Sequence, residues 1–121
     1  MPDFKEVFEA YGGNYEETME RFMNNQSFYL RILGLLSQDE TFTQLGAALD
    51  NGDLDAAFNA AHTLKGVAGN LGLRPLYEAV CRMVEPLRRR EARSDYGAMY
   101  ETVRTEFQRT GELHRTLLGE T

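Results

Sequence analysis

The chain is poor in the features that would open alternatives to a small helical domain. It has one cysteine, Cys81, so no internal disulfide can form, which fits cytoplasmic residence. It has two histidines, His62 and His114, 52 residues apart and with no Glu-x-x-His pair, so no metal-ligand spacing is recognisable and a four-helix metalloprotein is disfavoured. No apolar run nears the ~20 residues of a membrane span. The opening Met1-Pro2-Asp3-Phe4-Lys5-Glu6 lacks the basic start and apolar core of a signal peptide. Basic excess is absent too: 19 Asp and Glu against 13 Lys and Arg give a net charge of −6, which argues against nucleic acid or an anionic membrane as partner. There is no glycine-rich nucleotide-binding segment, no internal repeat, no low-complexity tract and no sustained period-2 alternation.

What remains is 121 residues, 42% hydrophobic and 26% charged, enough for one domain with a modest core. The periodicity is helical throughout. Phe4, Val7, Phe8 and Tyr11 mark a short helix stopped by Gly12-Gly13, and Asn14-x-x-Glu17 then reads as an N-cap with its capping-box partner. Tyr15, Met19, Phe22 and Met23 space a second helix. Phe28, Tyr29, Ile32, Leu35 and Leu36 space a third over residues 26–36, in which Gly34 is a weak point or a close crossing. Four longer helices are predicted over about 39–50, 53–71, 75–90 and 95–117. Asn51-Gly52-Asp53 gives a loop and an N-cap, and Pro75 suits a first helical position. Pro86 should kink or end the third of these helices, and Gly111 should fray the fourth. The fold class is therefore all-α: an antiparallel four-helix bundle over residues 39–118, with additional short N-terminal helices in residues 1–36 capping one end, all in one domain over 1–121.

The helix predicted from Asp53 carries the chemistry. At about 100° per residue, Leu54, Ala57, Ala61, Leu64 and Ala68 gather on one side, with Ala56, Ala60 and Val67 on the other. One polar strip is left: Asp55, Asn59, His62, Lys65, Gly66 and Gly69. Each glycine costs roughly 1 kcal/mol against alanine inside a helix, so both need a reason. Gly66 and Gly69 lie one and two turns after His62 on its face, where a missing side chain lets a bulky partner reach the ring. Lys65 brings a positive charge to the same space. A reachable imidazole, a nearby cation and cleared ground suit a histidine that accepts a phosphoryl group.

His62-Thr63-Leu64-Lys65-Gly66, followed by Val67-Ala68-Gly69-Asn70-Leu71-Gly72, resembles the motif of the histidine-containing phosphotransfer (HPt) domain over eleven positions. The resemblance implies a helical bundle acting as a phosphorelay carrier of two-component signalling. In that scheme His62, through Nε2, takes a phosphoryl group from a receiver-domain aspartate and passes it to another receiver. Its partners would be receiver domains of response regulators or hybrid histidine kinases. The receiver would bring Mg²⁺, and this chain would bind no cofactor and no metal. It would be a phosphocarrier without ATP binding or autokinase activity.

Around His62, Lys65 is read as charge support for the phosphoryl group, Gly66 and Gly69 as steric clearance, with close helix–helix contact the alternative for Gly69, and Asn59 as a contact to the phosphoryl group or partner, with a bland surface role equally open for Asn59. Phe58 and residues of the N-terminal helices should meet the receiver through a small, weak interface. His114 reads as structural or surface, Cys81 as a small core residue, and Arg88-Arg89-Arg90-x-x-Arg93 as a solvated helix end, with a salt-bridge or docking role as its rival. Some members of the family place a polar residue 22 positions after the histidine to orient it; here that position is Val84. Chemotaxis-kinase types have a histidine 19 on and a glutamate 22 on, where this chain has Cys81 and Val84. The rival to the carrier is a helical adaptor of the same fold that binds a partner without phosphotransfer. The chain is expected to be a cytoplasmic monomer, and its start at Met1 suggests a complete small protein.

Overall fold

A computed structural model describes residues 3–119 of the chain. Positions 1, 2, 120 and 121 of the expected 1–121 domain lie outside the described residues. The described residues form seven helices and no strand: α1 (Phe4–Tyr11), α2 (Tyr15–Arg21), α3 (Gln26–Leu36), α4 (Thr41–Asp50), α5 (Leu54–Asn70), α6 (Arg74–Arg88) and α7 (Tyr96–Leu117). The all-α bundle is thus as the periodicity predicts.

Local chemistry sets the boundaries. The Asn14 side chain accepts from the Glu17 N–H at 3.1 Å, Asn25 from Phe28 at 3.0 Å, and Asp53 from Ala56 at 3.0 Å, each satisfying an otherwise orphan donor at a helix start. Only half of the expected capping box forms, because the Glu17 carboxylate faces Arg21 instead. Gly72 ends α5 with φ +66°, and a Cβ there would lie only 2.0 Å from Thr18 Oγ1, so α2 packs directly on this turn.

The centre of the bundle is α5, which packs mainly on α4 and α6, while α6 packs on α7. Ala57, Ala60, Ala61 and Ala68 are its buried contacts beside Leu64, and small side chains let the neighbouring helices come close. Leu45, Leu73, Leu76, Val80, Met83, Val84, Leu87 and Val103 complete the interior. The N-terminal helices cover the end of the bundle where α5 stops. Tyr29 sits inside a cluster with Phe4, Phe8 and Phe22, and its hydroxyl donates to the Leu71 carbonyl at 2.7 Å. All of this forms one continuous core.

Several expectations are corrected. Met23 lies outside α2, at φ +53° and 84% exposed, because the α2–α3 turn passes through left-handed backbone at Met23 and Asn24. In α3 the buried stripe is Tyr29, Leu33 and Leu36; Phe28 and Leu35 face outward, since α7 meets α3 on one face only. Gly34 is the close crossing: a Cβ there would come within 3.1 Å of the His114 ring on α7. Ala56 is exposed rather than covered, because α5 has no neighbour on that side. Pro86 lies in the last turn of α6, which ends two residues later at Arg88, in keeping with the expected stop, and Arg90 follows at φ +55°. Gly111 does not fray α7, because Thr110 and Leu113 are buried beside it and hold the helix to Leu117.

Candidate functional site

The site is built on the outer face of α5. Asp53 caps the helix, Asp55 adds negative charge at its positive end, and the next turns bring up Phe58, Asn59, His62, Lys65 and Gly66 in register. His62 and Asn59 are exposed and Lys65 is half-buried. Gly66 is exposed, and a Cβ placed on it would meet nothing within 4 Å, so no packing need explains its lack of a side chain. Gly69 differs. A Cβ there would stand 3.3 Å from the Tyr77 ring of α6, so Gly69 lies in the α5–α6 contact, the alternative reading of this glycine.

The imidazole is held without hydrogen bonds from the described residues. Its neighbour is Phe58, one turn earlier, with ring centroids 5.7 Å apart and planes 33° from parallel. The guanidinium carbons of Arg88 and Arg90 lie 5.1 and 5.0 Å from the Phe58 centroid. Arg90 donates to Asp55 and to the Leu87 and Arg88 carbonyls, and Arg88 pairs with Glu85 at 3.2 Å. The basic cluster is therefore more than a solvated helix end: two of its four arginines are folded onto the helix that carries His62. Arg93 instead bridges Asp95 and Glu91, which holds the Asp95 carboxyl below its usual range and raises Arg93.

The other residues singled out fall away from the ring. Val84, 22 positions on, is 1% exposed and has no polar atom to offer in its side chain. Cys81 is half-buried on α6. His114 packs on Gly34 between α7 and α3. Past Gly69, Arg21 donates to the Gly69 and Asn70 carbonyls at 3.1 and 3.2 Å, satisfying the end of α5, and a groove of about 250 Å³ opens between Arg21, Arg74 and Tyr77. Sequence reasoning missed this brace, since Arg21 carries no local signal for a partner 48 and 49 residues away.

An exposed imidazole beside a bare glycine and a lysine, on the central helix of a bundle, is one arrangement that accepts a group from a large partner. The family model described as the Hpt domain matches residues 34–112, well over half of the chain and spanning the His62 helix. The chain belongs to the Hpt domain family. Neither a curated protein nor a solved structure matches it. Hpt domains are phosphocarriers of two-component phosphorelays that interact with receiver domains. In this Hpt domain the match begins inside α3, so α1 and α2 lie outside it. Among the described residues no helix is long and apolar enough to cross a membrane.

Proposed function

We propose that His62 is the phosphoacceptor of this Hpt domain and carries a phosphoryl group between two receivers. The observation that supports this most is the pairing of an exposed imidazole with Gly66, whose face is open to a partner. Neutral imidazole offers a lone pair at Nε2. That nitrogen forms an N–P bond to the receiver's aspartyl phosphate as the P–O bond to the carboxyl oxygen breaks. The carboxylate leaves with the electron pair, and the Nδ1 proton stays on the ring or passes to water. The reverse step, onto a second receiver aspartate, balances in the same way.

Lys65 offsets the charge of the arriving phosphoryl group, and Gly66 leaves the approach clear. Asn59, one turn before His62 and exposed, contacts the phosphoryl group or the receiver. The receiver supplies Mg²⁺, and no cofactor or autokinase activity is assigned to this chain, which acts as a cytoplasmic monomer. Because the complex must come apart after each transfer, its interface is small.

The test is transfer from a phosphorylated receiver in the presence of Mg²⁺. Acid-labile, base-stable phosphate should accumulate on the wild-type chain and be absent from His62→Gln. If wild type gains no more than His62→Gln with every receiver tried, the adaptor reading replaces this one.

A further inference from the structure

We propose that Phe58 is a positioning residue, an aromatic shelf that holds the His62 ring in place of the side-chain hydrogen bond that Val84 cannot make. The proposal rests on His62 being the phosphoacceptor. Side chains on a helix lean toward its N-terminus, so His62 leans back over the residue four positions earlier, which is Phe58. The rings lie 5.7 Å apart. Phe58 is itself fixed: the guanidiniums of Arg88 and Arg90 stand over its ring at 5.1 and 5.0 Å, and cations over an aromatic ring are attracted to it. Arg90 is in turn tied to Asp55, one turn before Phe58 on the same helix, and to two carbonyls at the end of α6.

The chain Asp55–Arg90–Phe58–His62 thus joins the end of α6 to the imidazole. An exposed histidine with no hydrogen bond would otherwise sample several rotamers, and few of these point a nitrogen at phosphorus. The shelf covers the side of the ring toward the start of α5. The side toward Lys65 and Gly66 stays open, which sets the direction from which a phosphoryl group arrives.

The experiment separates positioning from docking. Single-turnover transfer from a phosphorylated receiver is followed at increasing receiver concentration, giving a maximal rate and an apparent affinity. Phe58→Leu, which keeps apolar bulk, should lower the maximal rate about tenfold and leave the affinity within about twofold. Phe58→Trp should stay near wild type. Arg90→Gln and Asp55→Asn, both on the surface, should each lower the maximal rate severalfold, so the proposal does not depend on Phe58 variants folding. In the unmodified protein, nuclear Overhauser contacts between the His62 and Phe58 ring protons should be present, and should weaken in Arg90→Gln.

An unchanged maximal rate in Phe58→Leu, a loss confined to affinity, an equal loss in Phe58→Trp, or absent ring contacts would each overturn the shelf while leaving His62 as acceptor. Wild type that takes no phosphate would overturn both.

Discussion

Gly66 and Gly69 sit three residues apart on one helix and have opposite surroundings. At Gly66 a methyl group would meet nothing, so Gly66→Ala should raise stability by about 1 kcal/mol through helix propensity alone, read as a higher unfolding midpoint. Gly66→Gln should also fold, yet slow transfer by reaching across the approach to His62. Equal transfer rates for that variant and wild type would remove clearance as the reason for the glycine. At Gly69 the Tyr77 ring stands 3.3 Å from where a Cβ would be. Gly69→Leu should therefore destabilise the fold by about 1–3 kcal/mol, as overpacking does, whereas Gly66→Leu should not. Denaturant titration of the two leucine variants distinguishes a packing glycine from an access glycine without any phosphotransfer assay.

At the scale of elements, the end of α5 is fixed from the N-terminal helices. Buried Tyr29 donates to the Leu71 carbonyl at the α5 C-cap, and Arg21 donates to the two carbonyls before it. Tyr29→Phe leaves the Leu71 carbonyl without that partner and should cost about 1–2 kcal/mol at neutral pH. Burial holds the Tyr29 phenol above its ordinary value of 10.0. A raised value means that the fold favours the neutral form. Its contribution is then complete below pH 10 and is lost as pH rises beyond that, because the unfolded chain ionises there first. Alkaline unfolding curves should accordingly be steeper above pH 10 for wild type than for Tyr29→Phe; parallel curves would show that another group carries the alkaline limit. Tyr11 is raised in the same direction, chiefly by burial, and its hydroxyl is unpaired, so the Tyr29 variant should blunt the slope and not abolish it.

For the whole molecule, the N-terminal helices belong to the same core as the bundle. Phe8, Met19 and Tyr29 are fully buried in it, although α1 and α2 lie outside the family match. A chain starting at residue 34 should lose several kcal/mol, since each large buried side chain contributes about 1.5–3 kcal/mol, and should bind a hydrophobic dye that the full chain does not. A truncated chain as stable as the full one would mean that these helices are an appendage. Of the exposed large apolar residues, Phe28 and Leu35 share α3, Met23 lies in the α2–α3 turn and Leu118 caps the end of α7; the monomer proposed for the carrier predicts a single species at 13.8 kDa in sedimentation. A concentration-dependent dimer would contradict the monomer proposed for the carrier.

Helix number, the caps at Asn14 and Asp53, and the placing of His62, Lys65 and Gly66 on one face were all readable from the chain. Each depends on residues within a turn or two of one another, and the 3.6-residue period carries that information. Which side chains ended up inside was less readable: Ala56, Met23 and Leu35 turned outward and Leu33 inward because burial depends on where neighbouring helices pass. Tertiary structure alone separated the two glycines, since Tyr77 reaches Gly69 and nothing reaches Gly66. It alone brought Arg90 to Asp55, 35 residues away, and so turned a basic stretch at one helix end into a clamp on the ring beside His62. The periodicity of a single helix records its own faces, while the identity of the group that crosses to them is set only when distant segments pack.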